Sequence, residues 1–276
     1  MTPYLFYNKD MSKGNDMKHK FALVGSGNLA GIIVGAYSEG RMPDYEIVAV
    51  MGVEYEGTQK LADKAQCPAV HDIEEVLLLE PEYVIEAAAV GAVRAYLNPI
   101  LSAGVNFVTL SIGTFADEAF LNHAKELASE NGVKIHFPSG AIGGYDVLRT
   151  ISMMDGASME FTMNKSRVNM VGTTLYDKCP ESGEPAVIFE GNAAEAIKLL
   201  PGHVNVAVAA SLATVGPERM KVVIFSDPND PDDEMHSIIK SDKASAHLII
   251  RSVPADIAAW SVVALMNNLA SPIQFA

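Results

Sequence analysis

The sequence has little with which to cross-link itself or hold a metal. Its 276 residues include two cysteines, Cys67 and Cys179. They lie far apart and in neither a CxxC nor a Cys/His spacing, so no disulfide framework and no metal site is expected. Two reduced thiols of a cytoplasmic protein are the favoured reading, and a catalytic thiol is the lesser one. Positive charge is scarce: 20 Lys and Arg stand against 34 Asp and Glu, a net charge of −14, and no basic run occurs. Nucleic-acid binding needs clustered cations, so that class of partner is not expected. No run of about 18 apolar residues is present, which argues against a membrane span. The opening MTPYLFYNKDMSKGNDMKHK has no apolar h-region and is read as a flexible leader over residues 1–19 rather than a secretion signal.

What is present suits a globular chain, with 49% apolar and 20% charged residues. From Lys20 onward short apolar runs alternate with helical patterns. KFALVG, YEIVAVMGV, PAVH, PEYVIEAAA, VNFVTLS and VKIHFPSG read as strands. The segments between them space their apolar residues as helices do, with Asp72 as a plausible N-cap and Gly132 as a stop. Alternation over about 120 residues, with strands apolar throughout, predicts an α/β fold: a Rossmann-type doubly wound parallel sheet covered on both faces. After Gly140 the pattern changes. SMEFTMN, SRVNMVGTTLY, EPAVIFEG, MKVVIFSDP and AHLIIRSV read as strands of a second, α+β domain with a mixed or antiparallel sheet. The expected division is a dinucleotide-binding domain over 20–140, a substrate and dimerisation domain over 141–254, and a C-terminal helix over 255–276 packing back on the first. The acidic loop DPNDPDDE lacks the spacing of a calcium site.

The segment GSGNLAG fits G-x-G-x-x-A through Gly25, Gly27 and Ala30. It follows a strand and opens a helix, as a dinucleotide site requires. Glycine permits the tight turn and close approach to pyrophosphate, and the helix N-terminus at Asn28 and Leu29 supplies N–H donors. A glycine turn needed only for packing is the plainer alternative. The second strand should end in an acid to bind the adenosine ribose. Here Gly52 and Val53 hold that place, Glu54 follows late, and no Arg follows for a 2′-phosphate. NAD and NADP both stay open. Two further loops end strands on the same expected edge: SIGTFAD, with Ser111 and Gly113, and PSGAIGGYD, with Ser139, Gly140 and Ala141. In LPGHVNVAVAASLA, small residues and length favour a helix with His203 and Asn205 in its first turn. Capping is one role for those polar groups and ligand contact another. His236 follows the acidic loop at an expected strand entrance, and His247 reads as structural.

Taken in order, these motifs resemble the L-aspartate dehydrogenase family over nearly the whole chain from Lys20. The matching segments are the glycine loop, VIEAAAVGAVRAYLNPILSAGVNFV, SIGTFAD, PSGAIGGYD, FEGNAAEAIKLLPGHVNVAVAASLATVGPERMKV and DP…H-x-I. The resemblance implies an NAD(P)-dependent oxidoreductase acting on the CH–NH2 group of an amino acid, L-aspartate, to give iminosuccinate and then oxaloacetate, a step of amino-acid metabolism and NAD biosynthesis. It implies a homodimer in the cytoplasm. It assigns His236 as catalytic and Ala141 and Asn205 as cofactor contacts, which join Gly25, Gly27, Asn28, Leu29 and Ala30 of the glycine loop and Ser111 and Gly113 of SIGTFAD; Ser139 and Gly140, through their backbone N–H groups, and His203 beside Asn205 are the expected substrate contacts. The chain departs from the family at His203-Val204-Asn205-Val206, where Asn-x-Asn-Val is usual, and at His236-Ser237-Ile238, where His-Glu-Ile is usual. The family's lysine-proline motif is not evident, Lys178 and Pro180 being its nearest counterpart. A dihydrodipicolinate-reductase-like or homoserine-dehydrogenase-like enzyme, or a noncatalytic NAD(P)-binding regulator, is the competing reading.

Overall fold

A computed structural model describes residues 18–200, 204–230, 233–252 and 256–275. The leader positions 1–17 and His203 lie outside the described residues. The first half runs β1 (His19–Val24), α1 (Asn28–Ser38), β2 (Tyr45–Met51), α2 (Tyr55–Ala65), β3 (Ala69–Val70), α3 (Ile73–Leu78), β4 (Tyr83–Glu86), α4 (Val90–Ser102), β5 (Asn106–Thr109), a 3-10 turn (Ile112–Ala116), α5 (Glu118–Glu130) and β6 (Ile135–His136). The six strands form one sheet in the order β3-β2-β1-β4-β5-β6, and every pair is parallel. This is the doubly wound order, whose carboxyl edge opens a crevice where the winding reverses beside β1. Adjacent residues of one strand serve opposite layers. Ala22 and Val24 pack with α3, α4 and α5, whereas Phe21 and Leu23 pack with α1 and α2. That division is why the strands carry no polar face.

The second half runs α6 (Tyr145–Ser152), β7 (Ser158–Asn164), β8 (Ala186–Asn192), α7 (Ala193–Leu199), α8 (Asn205–Ala213), β9 (Lys221–Ser226), β10 (Asp233–Lys240), β11 (Ser245–Ser252) and α9 (Ile257–Ala270). Its sheet has the order β11-β10-β7-β9-β8, with β7 and β9 parallel and the other pairs antiparallel. The inner face carries Met159, Phe161, Met163, Val222, Ile224, Met235 and Ile239 against α6, α7 and α8. The outer face mixes charged and polar side chains with the apolar Val187, Val223, Phe225, Ile238 and Ile249, and on it Lys221 bridges Glu160 and Glu190. No helix of the described residues is long and apolar enough to cross a membrane.

Three local expectations are corrected. SRVNMVGTTLY is not a strand: it forms 3-10 turns at Arg167–Met170 and Tyr176–Lys178. Its Ser, Asn, Thr and Gly prefer local bonds, such as Asn169 N–H to Ser166 O and the Thr173 hydroxyl to Met170 O. The helices α6 and α7 lie in segments read without helices. The start of α7 is written in a capping box, in which Asn192 and Glu195 each accept from the other's backbone.

The last helix, α9, returns to the first sheet beside α1. Ala259, Val262, Val263 and Met266 join the layer containing Ile33 and Val34. The buried Tyr45 hydroxyl donates to Met266 O at 2.8 Å, locking α9 to β2. Burial pushes the Tyr45 phenol well above its usual range, so it stays protonated. Tyr45→Phe is expected to lower unfolding free energy by about 1 kcal/mol, the usual worth of one such bond. Urea denaturation checks this, and an unchanged midpoint would show that the bond does not anchor α9.

Candidate active site

Gly25 takes φ +132°, and a Cβ there would stand 2.5 Å from Ala87 O. Only glycine lets the β1–α1 turn cross so close to the end of β4. Gly27 is the N-cap of α1, and a Cβ on it would meet nothing within 4 Å. No side chain caps this helix, so its first-turn N–H groups face open space at the positive end of the dipole. These residues fit a pyrophosphate. Asn28 donates to Asp256 at 3.4 Å, Leu29 lines the cavity described below, and Ala30 is fully buried as packing. At the end of β2, Val53 is fully exposed, and the Glu54 carboxylate accepts from Gly57 N–H at 2.7 Å as the cap of α2. Tyr55 stacks on His71 beside it, with ring centroids 5.8 Å apart.

The crest of the sheet is organised by Glu86, the last residue of β4, which is 1% exposed. One carboxylate oxygen accepts from Ala88 N–H and the Ser111 hydroxyl, both at 2.8 Å. The other accepts from the Thr109 hydroxyl at 2.6 Å and Ser111 N–H at 3.1 Å. Four donors compensate a buried charge. The Ser111 hydroxyl is thus committed to Glu86. The turn that follows presents Gly113, whose N–H donates to Asn205 Oδ1 at 3.0 Å. A Cβ on Gly113 would fall on that oxygen, so glycine is required for the contact. Asn205 opens α8, and this bond ties the two halves of the chain together.

Above that bond lies a cavity of about 210 Å³. It brings together Leu29, Ser139, Gly140, Ala141 and Asn205, all expected from the sequence. Gly140, at φ +58°, donates its N–H to Ser261 of α9 at 3.0 Å, which fixes the loop. Of its polar wall residues, two are not among those expected from the sequence: Lys165 and Tyr145. Lys165 directly follows β7 and continues the inward alternation of Met159, Phe161 and Met163, so period-2 reading of SMEFTMNK could have found it. Lys178, the lysine suggested by the resemblance, instead ends a 3-10 turn.

The structure does not bring His236 into this cavity. It is the fourth residue of β10 rather than its entrance, and its neighbour Met235 lines the cavity. Alternation therefore turns the imidazole to the outer face. There Nδ1 is 3.1 Å from His247 Nε2, and Nε2 is 2.7 Å from Glu234. The Glu234 carboxyl is held below its usual range by the His236 hydrogen bond and by Arg251. The thiols are poor nucleophiles: burial pushes Cys67 up to about 11, and Cys179 is buried.

Known proteins resemble both halves of the chain. Residues 146–269 match the family model described as aspartate dehydrogenase, C-terminal, and residues 25–138 match that of the homoserine dehydrogenase NAD-binding domain. The L-aspartate dehydrogenase of Methanosarcina barkeri is 30% identical over 268 residues, covering 92% of this chain and 98% of the relative. That of Methanocaldococcus jannaschii is 27% identical with the same coverage. The crystal structure of aspartate dehydrogenase from Thermotoga maritima superimposes with a TM-score of 0.74 at 25% identity, covering 94% of this chain and all of that one.

Two outcomes follow from the crest and the bridge. Glu86→Gln places amide N–H groups against donors, and it is expected to destabilise the fold by about 2–3 kcal/mol in urea. A loss under about 0.5 kcal/mol would mean that water replaces the carboxylate. Asn205→Ala is expected to weaken NADH binding about tenfold in a fluorescence titration while costing about 1 kcal/mol of stability. Unchanged NADH affinity would remove Asn205 from the cofactor site.

Proposed function

Because the chain belongs to the L-aspartate dehydrogenase family, we propose that it oxidises L-aspartate with NAD+ or NADP+ to iminosuccinate, which hydrolyses to oxaloacetate and ammonium. The observation that carries this reading is the continuity, along one sheet edge, from the open glycine turn at Gly27 to the cavity at Ala141 and Asn205. The first suits a dinucleotide and the second a small substrate meeting its reactive end. A bound nicotinamide cofactor would supply the hydride acceptor for oxidation at Cα of the amino acid. The chain's own part is to bind, orient and exclude water. The first turn of α1 would hold the pyrophosphate. Gly140 and Ala141 let backbone approach the ring, with Ser139 beside the substrate. Leu29, Ile112 and Met235 form the apolar wall. Binding and orientation of this kind can supply a large share of a rate enhancement.

The two unpaired thiols support a cytoplasmic location. The outer face of the second sheet, with exposed Ile249 and Val187, supports a homodimer. Among the cofactors, the Glu54 carboxylate at the ribose end supports NAD, although it is shared with the α2 cap.

The resemblance gives acid–base work to His236, and its position makes that assignment testable. The purified protein is expected to reduce NAD+ or NADP+ with L-aspartate in a panel of amino acids, read by absorbance of the reduced cofactor. Binding of cofactor with no turnover of any amino acid at high pH would favour a regulator instead. A histidine exchanging protons with substrate would lose about 10²–10⁴-fold in rate on replacement by Ala. From the outer face, His236→Ala is expected to stay within about tenfold, and a larger loss with an altered pH profile would restore it as the acid–base group.

A further inference from the structure

We propose that a second cavity, between α5, β6, α6 and α8, binds a small organic anion with an apolar body, its head held by Lys125, Arg149 and the Tyr145 hydroxyl. The site goes beyond the dehydrogenase reading and does not depend on it.

The cavity holds about 440 Å³, within the range of small-molecule sites. Leu121 and Lys125 come to it from α5, and Tyr145 and Arg149 from α6. Each pair is four residues apart and so lies on one helix face. The charge of the wall is one-sided. Lys125, His136 and Arg149 line it and no acidic residue does, in a chain of net charge −14. Lys125 and Arg149 are exposed at the rim, and among the described residues no ion pair or side-chain hydrogen bond engages either of them. Burial and the neighbouring Lys134 hold the His136 imidazole below its usual value, so at neutral pH it offers a single N–H. The Tyr145 hydroxyl is buried and has no hydrogen-bond partner. Such a group is costly and calls for one. Burial pushes the phenol above its usual range, so it remains a donor. Ammonium, guanidinium and phenol all donate, and the partner that accepts from all three is an oxyanion, a carboxylate or a phosphate. Leu121, Phe137, Leu212 and Leu265 make much of the remaining wall apolar, which suits an anion carrying a hydrocarbon body. Tyr145 and Ala209 stand in the walls of both this cavity and the one at Ala141, so the ligand would lie against the helix that Asn205 opens.

The test titrates the full chain by calorimetry, with and without NADH, using phenyl phosphate, benzoate, inorganic phosphate and phenol as probes. Phenyl phosphate or benzoate is expected to bind at least about tenfold more tightly than inorganic phosphate and phenol, because head and body contribute together. The tighter of the two identifies the head as phosphate or carboxylate. Lys125→Met and Arg149→Met should each weaken that probe about threefold, and the double variant about tenfold, the scale of exposed ion pairs. Tyr145→Phe should weaken it about three- to tenfold, the worth of one hydrogen bond. The NADH Kd should stay within about twofold in the Lys125 and Arg149 variants. Affinity unaltered in the double variant overturns the site, as does a probe that NADH displaces, which would lie in the cofactor crevice. Inorganic phosphate binding as tightly as phenyl phosphate overturns the organic ligand, and unaltered affinity in Tyr145→Phe overturns the role of the hydroxyl. Probe binding that depends on Lys125 and Arg149 in a chain that binds no NADH upholds this site and counts against the dehydrogenase reading alone.

Discussion

A single buried carboxylate organises the functional edge of this molecule. Glu86 ends β4 where the sheet meets its crevice, and it gathers donors from Ala88, Thr109 and Ser111. The charge is tolerated because four hydrogen bonds replace the water it loses. In return it fixes the relative height of the β4 and β5 ends. The turn after Ser111 is then placed so that Gly113 reaches Asn205, and the second half of the chain is seated on the first through that contact. Gly25 crosses the neighbouring residue Ala87 with no room for a Cβ. The nucleotide turn and the bridge between the halves thus share one crest.

The second half builds a wall from strand alternation. Residues of β7 and β10 that face inward meet α6 and α8, and Met235 and Lys165 extend those rows into the cavity. Residues facing outward form a separate polar system of His236, His247, Glu234 and Arg251. One residue of register separates the two sets. The closing helix α9 serves both halves: Tyr45 anchors it to the first sheet, while Ser261 holds the Gly140 loop.

Much of this organisation is legible in the sequence, for identifiable reasons. The first domain's strands announce themselves because burial on both faces demands apolar runs, and the glycine loop does so because its turn excludes side chains. Asn205 stood out as an amide at the mouth of an apolar helix, and it does bridge to Gly113. The remainder depends on distant partners. Glu86 looks like a stray charge in VIEAAA because its partners lie on the next strand, 23 and 25 residues away. His236 could be named from its surroundings, but the face it takes is set by pairing with β7 and β11. Lys165 has no proline after it to mark it, whereas Lys178, close to Pro180, lies in a segment whose turn-forming residues carry it into 3-10 structure.

Cofactor and amino acid are proposed to meet between Leu29, Ala141 and Asn205, on the inner side of the second sheet. A crystal structure of the chain with NADH and succinate tests it most directly. The pyrophosphate is expected on the first turn of α1, the nicotinamide against Ala141 and Asn205, and succinate beside Ser139 and Gly140. A nicotinamide or succinate seated instead on the outer face, against His236 and His247, would contradict it.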